Sequence, residues 1–349
     1  MMPTWLRDPI PEPSMRHMQE AGRRQDQLTK PAGSLGRMEE LAIDLAGLQS
    51  SASPTAERVR IAVFAGDHGV TAAGISPFPQ SVTVEMLRNF SRGGAAICVL
   101  ARKLNAVLEV IDVGAARDPG PLPGVITRRA GSGTKDFRSH PAMNRAELAI
   151  ALQAGADAAR RADEAGTDLF IGGEMGIGNT TSAAAIVCAL LKTAPVLIAG
   201  PGAGLNAEGV SRKAEVIDQA LRHHGKHLNH PLDVLCALGG FEIVALVGAF
   251  IAAAQRRLPI LLDGFIVSAA ALAALHLRPE LKPWLLFAHH SAEPGHLAIL
   301  NAMEARPLLS LGMRLGEASG AAVAVPLLRL ACALHCEMAT FAEAGISST

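Results

Sequence analysis

Short apolar segments rich in β-branched residues recur along the chain, and most of them are followed by a glycine or polar turn and then a helical pattern. Near-continuous apolarity is typical of strands that are buried on both faces, as in a parallel sheet covered by helices. The pattern predicts six strands, at residues 60–65, 106–113, 168–171, 195–199, 259–262 and 284–288. We therefore expect an α/β fold with a mostly parallel sheet and helices on both faces.

The two ends of the chain have a different pattern, because apolar residues recur there at helical spacing. Helices are predicted at residues 15–29, 37–51 and 321–344, the last one broken or bent near Pro326. Since these helices flank the α/β region on both sides, we expect the two termini to come together. This divides the chain into a large α/β domain, residues 55–305, and a small helical domain formed by residues 1–54 and 306–349.

Because the mean hydropathy is +0.26, we compare the lengths of the longest apolar runs with the length needed to cross a membrane. Residues 243–254 and 264–275 are apolar but bracketed by charged residues, and they are shorter than the roughly 18 to 20 residues that a span needs. They are predicted to be buried helices. Prolines and charges near the N-terminus do not fit a secretory signal. We expect a cytoplasmic protein with no membrane span.

Charge and composition narrow the classes of ligand. Lysine plus arginine and aspartate plus glutamate number 32 each, so no global field attracts nucleic acid. Aromatic residues make up 3% of the chain, which leaves few platforms for stacking single-stranded bases. We expect no nucleic-acid partner, and any phosphate must be bound by a local site. Five scattered cysteines are predicted to be free thiols.

Chemically informative residues fall in the turns that follow the predicted strands. In an open parallel sheet, ligands bind beyond the carboxyl ends of the strands, where such turns converge. The turns after five of the predicted strands are rich in glycine and polar residues, at residues 66–70, 172–181, 200–206, 263–264 and 289–296. A site assembled from these five turns is therefore expected at one edge of the sheet.

The most distinctive turn reads Gly173-Glu-Met-Gly-Ile-Gly-Asn-Thr-Thr181. Its glycines permit close approach of the backbone to an anion, and the helix that follows offers free N–H groups, so a phosphate is a suitable ligand. A tight turn without a ligand remains an alternative for the glycines alone. The turn lacks the lysine of a Walker A loop, and the acid expected in a dinucleotide site does not follow. Glu174 would repel an anion unless it faces a sugar hydroxyl or a developing cation.

Six motifs together resemble the nicotinate-nucleotide:dimethylbenzimidazole phosphoribosyltransferase family. They occur in the family's order between about residues 30 and 322. Each motif alone is weak evidence, whereas six in register are specific. The motifs are Lys30-Pro-Ala-Gly-Ser-Leu-Gly36, Phe64-Ala-Gly-Asp-His-Gly-Val70, Pro79-Gln-Ser-Val-Thr83 with Asn89-Phe90, Gly173-Glu-Met-Gly-Ile-Gly-Asn-Thr-Thr181, Leu262-Asp-Gly-Phe-Ile266 and Leu311-Gly-Met-Arg-Leu-Gly-Glu-Ala-Ser-Gly320.

This resemblance implies an enzyme that moves 5-phosphoribose from nicotinate mononucleotide to 5,6-dimethylbenzimidazole with inversion. The products would be α-ribazole 5′-phosphate and nicotinate, in assembly of the lower ligand of cobalamin. It also implies a Rossmann-like large domain, a small helical domain from both termini, a homodimer and no cofactor or metal. The competing hypothesis is a nucleotide-binding sensor without turnover.

The resemblance further implies which residues act. Glu317 matches the catalytic base of the family, and Glu174 is a candidate for stabilising an oxocarbenium-like sugar. Lys213 and the glycine-rich turns are expected to hold the phosphate. The expected substrate-binding residues are Ser76, Pro77, Phe78, Gln80, Glu85, Met175, Gly176, Ile177, Gly178, Asn179, Thr180, Gly202, Lys213, Asp263, Ser291 and Leu315.

Two residues depart from the family pattern. Glu85 stands where an uncharged amide is expected near the acceptor base, which suggests a preference for other benzimidazoles or purines. Ala203 replaces a hydroxyl residue in a glycine turn, which removes one possible hydrogen bond to phosphate or ribose. A third hypothesis, a metal-dependent hydrolase, is less favoured because its candidate ligands are far apart in sequence. Those candidates are Asp67, His68, His289 and His290.

Overall fold

The computed structural model describes residues 2–346 and contains a single six-stranded sheet in which every pair of neighbouring strands is parallel. The strand order is β3-β2-β1-β4-β5-β6, the doubly wound order of Rossmann folds. This confirms the predicted α/β fold class. The strands are β1 (Val59–Gly66), β2 (Val107–Gly114), β3 (Val125–Thr127), β4 (Leu169–Met175), β5 (Ile260–Leu262) and β6 (Leu285–Phe287).

Five of the six predicted strands are present, and the fourth prediction is wrong. Residues 195–199 form a short helix, Pro195–Ile198, because proline at the first helical position suits a helix start. Val196 and Leu197 in it are 75% and 67% exposed, unlike the side chains of a buried strand. Strand β3 has no counterpart in the predictions. It is three residues long, half-buried and at the edge of the sheet, so it carries almost no apolar signal.

Thirteen helices occur in the described residues, and the two buried apolar helices and both N-terminal helices were predicted. Short 3₁₀ turns lie at Thr4–Arg7, Gly69–Ala73, Gly225–His227 and Pro279–Trp284. The helices are α1 (Met15–Gln27), α2 (Arg37–Gln49), α3 (Val82–Ser91), α4 (Ala96–Leu104), α5 (Arg145–Glu164), α6 (Asn179–Leu191), α7 (Pro195–Ile198), α8 (Ala207–His224), α9 (Pro231–Leu238), α10 (Phe241–Gln255), α11 (Phe265–Leu277), α12 (Gly295–Ala302) and α13 (Ser319–Glu337).

Alternate residues of the strands face two separate cores. In β1, Ala62 and Phe64 join a core formed with α5, α6, α10 and α11, whereas Ile61 and Val63 join one formed with α2, α4 and α13. Helices α5 and α10 are in close contact, since a Cβ added at Gly155 would lie 1.8 Å from the Ala245 carbonyl oxygen. The sheet is thus covered by helices on both faces, and the carboxyl ends of its strands remain available for the site.

The two termini meet, as expected from the sequence. Leu28 and Thr340 form an antiparallel bridge, and the Arg24 guanidinium donates to the carbonyls of His335 and Cys336. Helices α2 and α13 also contribute to a core that includes the sheet, so the division into two domains stays a prediction. Residue 1 and residues 347–349 of the predicted helical domain lie outside the described residues.

Helix α13 runs through Pro326 without a break. Within residues 2–346, it is the one helix long and apolar enough to cross a membrane by length and composition. However, 56% of its apolar window is buried inside the protein, where it packs against α2 and α4. This is the environment of a core helix. All five cysteines are free thiols, as predicted.

Candidate active site

A cleft of about 640 Å³ opens at the carboxyl ends of the central strands. The chain passes from β1 to β2 and β3 on one side of β1, and then continues with β4 on the other side. The cleft lies next to the position where the strand order changes direction. Ligands of doubly wound folds bind at this switch point. The cleft is lined by α3 and by the turns after β4, β5 and β6, together with residues 202–203 and 314–317. Four of the five turns expected from the sequence therefore contribute residues to it, and the turn at 66–70 does not.

Most of the predicted catalytic and substrate-binding residues line this cleft, although the turns that carry them are far apart in the chain. The lining members are Phe78, Glu174, Met175, Gly176, Ile177, Asn179, Thr180, Gly202, Asp263, Ser291, Leu315 and Glu317. Their roles toward substrate remain predictions, but the structure brings them together in one cavity.

Six predicted residues do not line the cleft: Ser76, Pro77, Gln80, Glu85, Gly178 and Lys213. Gln80 donates to the His68 carbonyl at 3.1 Å and so braces the turn after β1, while the Ser76 hydroxyl accepts from the Phe78 amide at 3.2 Å. Glu85 is 64% exposed at its side chain and pairs with Arg88 at 2.6 Å, and within one chain it does not line the cavity.

The turn between β4 and α6 brings backbone close to the cavity. Gly178 has φ of +93° and immediately precedes α6, which begins at Asn179. Gly176 has no room for a side chain, because an added Cβ would lie 2.3 Å from the Gly66 carbonyl oxygen. The Ile177 amide is held by the Thr83 hydroxyl at 3.2 Å. The Asn179 and Thr181 amides bond to the carbonyls of Gly176 and Gly178, so they are not the free donors expected from the sequence. Asn179 and Thr180 nevertheless line the cleft, and the positive end of the α6 dipole favours an anion there.

Two cations lie at the same part of the cleft: Arg314 lines it, and Lys213 lies behind its wall. We call this part the cationic end and define it as Lys213, Arg314 and residues 200–204. The Lys213 ammonium is 1% exposed and donates to the Thr180 hydroxyl at 3.1 Å and to the Gly200 carbonyl at 2.8 Å. Burial lowers the pKa of Lys213 to about 8, and the charge of Glu293 opposes that effect. Arg314 donates to the Gly202 carbonyl at 2.6 Å.

Glu317 is held in a strained turn at the other end of the cleft. Gly316, Glu317 and Ala318 have φ of +87°, +60° and +66°, and a left-handed backbone is costly for the two that are not glycine. The turn is pressed against β4, because a Cβ added at Gly173 would lie 2.8 Å from Ala318. Packing thus fixes the Glu317 carboxyl, which is 6% exposed and lines the cavity.

Burial raises the pKa of the Glu317 carboxyl, and the neighbouring charge of Asp263 raises it further, against a backbone hydrogen bond from Ile97 at 3.5 Å. A carboxylate with a raised pKa is a stronger base than an exposed one. This environment suits a group that must take a proton from a bound molecule.

Glu174 lies beside Glu317, since a Cβ added at Gly316 would be 2.4 Å from the Glu174 Oε1 atom. Its carboxyl accepts a hydrogen bond from the Asn179 side-chain Nδ2. Burial raises the pKa of Glu174 to about 8, with further contributions from the charges of Glu242 and Asp263. Glu174 is therefore predominantly neutral at pH 7 in the free protein. We call Glu174, Asp263 and Glu317 the carboxylate end of the cleft.

Asp263 anchors the helix that follows the Glu317 turn. Its Oδ1 atom accepts from the Ala321 amide in the first turn of α13 at 2.9 Å, and it lies 3.5 Å from His289 Nε2. An acid at a helix N-terminus stabilises the helix. Asp263 thus has a structural partner in addition to its position in the cleft wall.

The candidate ligands of a metal-dependent hydrolase lie in two separate surroundings. His68 is fully buried and bonds Glu242 at 2.6 Å, whereas His289 lies beside Asp263. Within residues 2–346, no group of three or more histidine, cysteine, aspartate or glutamate side chains is placed to hold a metal ion.

Sequence reasoning missed several cleft residues, among them Val82, Met86, His289, Glu293 and Arg314. His289 and Glu293 follow β6 in a turn that was expected to contribute, so their positions carried a signal. Arg314 is an isolated cation in a loop, and only the folded structure shows that it meets the 200–204 turn.

Comparison with known proteins agrees with this architecture. The DBI_PRT family model, described as Phosphoribosyltransferase, matches residues 10–346. The chain is 57% identical over 343 residues to a nicotinate-nucleotide--dimethylbenzimidazole phosphoribosyltransferase of Pseudomonas aeruginosa, covering 98% of each chain. An enzyme of the same name from Pseudomonas putida strain GB-1 is 57% identical over 347 residues, 99% of each chain.

The fold is also similar to that of a solved structure, CobT from Thermus thermophilus. The TM-score is 0.91 at 43% sequence identity, and the match covers 96% of this chain and 100% of that one. The curated relatives are named as transferases, which does not favour a sensor without turnover. The resemblance inferred from the six motifs is confirmed: the chain belongs to the nicotinate-nucleotide:dimethylbenzimidazole phosphoribosyltransferase family.

Proposed function

We propose that the protein transfers 5-phosphoribose from nicotinate mononucleotide to 5,6-dimethylbenzimidazole, giving α-ribazole 5′-phosphate and nicotinate for the lower ligand of cobalamin. The observation that carries this proposal is the division of one cleft into a cationic end and a carboxylate end. A phosphate fits the first, and a base that takes up a proton fits the second.

At the cationic end, the phosphate would be held by the positive end of the α6 dipole, by the 200–204 turn and by the charge of Lys213. This anchoring fixes the anomeric carbon relative to the rest of the cleft. Positioning of two reactants in this way can be equivalent to effective molarities of about 10⁵ M or more. The cations therefore act on the rate through orientation, at a distance from the reacting bond.

The chemistry at the anomeric carbon needs a base and no acid. The glycosidic nitrogen of the donor belongs to a cationic pyridinium, so the bond electrons return to that nitrogen and nicotinate leaves without a proton donor. The acceptor attacks through one ring nitrogen from the opposite face, which inverts β to α. Its other nitrogen loses its proton to Glu317, so positive charge does not accumulate on the acceptor. General base catalysis of this kind is typically worth about 10²- to 10⁴-fold.

Glu174 is proposed to balance the positive charge of the donor and of the oxocarbenium-like sugar. The neutral form favoured in the free protein can ionise once a pyridinium lies nearby, because an opposite charge favours the carboxylate. Its negative form is then present when positive charge develops on the ribose. Glu174 and Glu317 thus share the carboxylate end with different tasks.

The acceptor is expected in the apolar part of the cleft. Val82, Met86, Met175 and Leu315 line it, and Phe78 stands half-exposed at its entrance. A methylated benzimidazole loses water on entering such a pocket, which favours binding. Because Glu85 does not line this cavity within one chain, its effect on acceptor choice would require a change in α3 or a second subunit.

The test is to incubate the protein with nicotinate mononucleotide and a panel of benzimidazoles and purines, and to resolve the products by mass and anomeric configuration. We expect release of nicotinate and an α-configured product with 5,6-dimethylbenzimidazole. Saturable binding without any nicotinate release would instead support the sensor hypothesis.

We also propose a cytoplasmic homodimer that needs no cofactor. The five free thiols are compatible with a reducing compartment. The exposed apolar side chains of Val196, Leu197 and Leu297 lie on α7 and α12, which contact each other, and they supply a surface for a second subunit. Light scattering of the protein and of Leu197→Glu tests the dimer, and a monomeric wild-type protein would refute it.

A further inference from the structure

Glu293 lines the cationic end of the cleft, and the proposed reaction gives it no task. It follows β6 in the turn before α12, and it is 5% exposed. Neither of its carboxylate oxygens has a partner at hydrogen-bonding geometry within the described residues. A buried carboxylate without partners is costly, so its presence beside a proposed phosphate site needs a physical reason.

The neighbours of Glu293 favour its charge. Burial raises the pKa of this carboxyl, whereas the ammonium of Lys213, the nearby backbone of Gly202 and the guanidinium of Arg314 favour the ionised form. The 200–204 turn separates the acid from the ammonium: a Cβ added at Gly200 would lie 2.3 Å from Glu293 Oε2, and one at Gly202 would lie 3.1 Å from Lys213 Nζ. Glu293 and Lys213 thus face each other across this turn without a direct ion pair.

Glu293 favours the charged form of Lys213. Its two hydrogen-bond acceptors, the Thr180 hydroxyl and the Gly200 carbonyl, are neutral. Burial of an ammonium favours loss of its proton, and Glu293 is the one charged group that counteracts the loss in the described residues. A neutral amine would bind a phosphate dianion far less tightly than an ammonium does.

We propose that Glu293 is a positioning residue, the counter-ion that keeps the buried Lys213 protonated in the free protein, so that the phosphate site has its cation before substrate binds. This inference rests on the proposed function, since it takes the phosphate of nicotinate mononucleotide as the ligand. The gap between Glu293 and the ammonium keeps the ammonium available to phosphate, because a direct ion pair would occupy its remaining donor.

The experiment measures the affinity for nicotinate mononucleotide by calorimetry between about pH 6 and pH 9, the range that brackets the pKa of Lys213. All proteins compared carry Glu174→Gln, so that no proton is exchanged at that carboxyl. With Glu293 and Lys213 intact in this background, affinity is expected to fall as pH rises through about 8, where Lys213 loses its proton. In Glu293→Gln, the fall is expected about one pH unit lower, because a favourable charge is gone. Lys213→Arg combined with Glu293→Gln is expected to abolish the fall, since a guanidinium stays charged over this range.

The matched control is Glu208→Gln, which removes an acid from the exposed surface of the helix that carries Lys213. It is expected to leave the midpoint of the affinity curve unchanged. A purely structural role of Glu293 would weaken binding equally at every pH, and an unchanged midpoint in Glu293→Gln overturns the proposal. Failure of the phosphate assignment itself is distinguishable, because Lys213→Ala would then not weaken binding at all.

Discussion

The two ends of the cleft bury charge in opposite ways. At the carboxylate end, Glu174 and Glu317 lie with Asp263, so burial and like charges raise the pKa of the first two together. At the cationic end, Lys213 is opposed by Glu293 across a glycine turn, and each charge favours the ionised form of the other. The first arrangement produces groups that accept protons readily, and the second keeps a fixed charge in place.

This difference teaches how one cavity can combine chemistry with anchoring. A base needs a raised pKa, which crowding of acids supplies. An anchor needs a charge that does not change, which a counter-ion supplies. In the environment of the other end, Glu317 would be a weaker base and Lys213 an uncharged amine. Variants at the carboxylate end should therefore lower turnover, and variants at the cationic end should lower affinity for the donor.

The largest effect is expected from Glu317→Gln. Turnover should fall about 10²- to 10⁴-fold, because the acceptor keeps its proton. Affinity for nicotinate mononucleotide should stay nearly unchanged, since the phosphate is held elsewhere. Steady-state kinetics and calorimetry check the two parts. The control is Glu337→Gln, an exposed residue at the far end of α13, the helix that follows the Glu317 turn. A variant that keeps more than half of the turnover removes Glu317 from the mechanism.

Lys213→Ala should act on binding. Loss of a buried charged hydrogen-bond donor is expected to raise the dissociation constant for nicotinate mononucleotide about 10- to 100-fold. Arg212→Ala, the exposed neighbour on α8, is the matched control and should leave it unchanged. Equal affinities of the wild-type and Lys213→Ala proteins in calorimetry would move the phosphate site to other residues.

Gly173→Ala tests the packing that holds the Glu317 turn against β4. The new methyl group would lie 2.8 Å from Ala318, so the turn must shift. Overpacking of this kind costs about 1 to 3 kcal/mol of unfolding free energy, and turnover should fall with little change in donor affinity. Gly22→Ala on α1 meets no atom within 4 Å and serves as the control. A Gly173→Ala protein that keeps the wild-type free energy of unfolding in denaturant and the wild-type turnover would contradict this tight packing.

The smallest effect concerns the proton on Glu174. Its pKa of about 8 lies above pH 7, so the free protein carries this proton, and a bound pyridinium should expel it. Calorimetry at pH 7 in buffers of different ionisation enthalpy should detect release of up to about one proton per donor bound. In Glu174→Gln the release should disappear. Equal proton release by both proteins would show that Glu174 does not change its charge on binding.

The long, regularly patterned elements could be predicted from the sequence. Strand β1 and helix α10 are near-continuous apolar runs of ordinary length, and their burial in the structure follows from that pattern. The errors arose in short elements. Residues 195–198 have the composition of a strand, yet proline starts a helix there, and β3 is too short and too exposed to show a period.

The site was partly predictable for a related reason. The glycine turn at 173–181 and the motif around Glu317 are each one continuous stretch of sequence. The order of residue types within each stretch is therefore enough to indicate chemistry. Glu293 and Arg314 act through neighbours that are distant in the chain, and no local pattern marks them. Their importance depends on burial and on charges across a turn, which only the fold creates.

A structure of the protein with nicotinate and 5,6-dimethylbenzimidazole bound tests the central claim most directly. We expect the Glu317 carboxylate within about 2.6 to 3.2 Å of the acceptor nitrogen that carries the proton. An acceptor seated in the cleft with Glu317 turned away from that nitrogen would contradict the proposed mechanism.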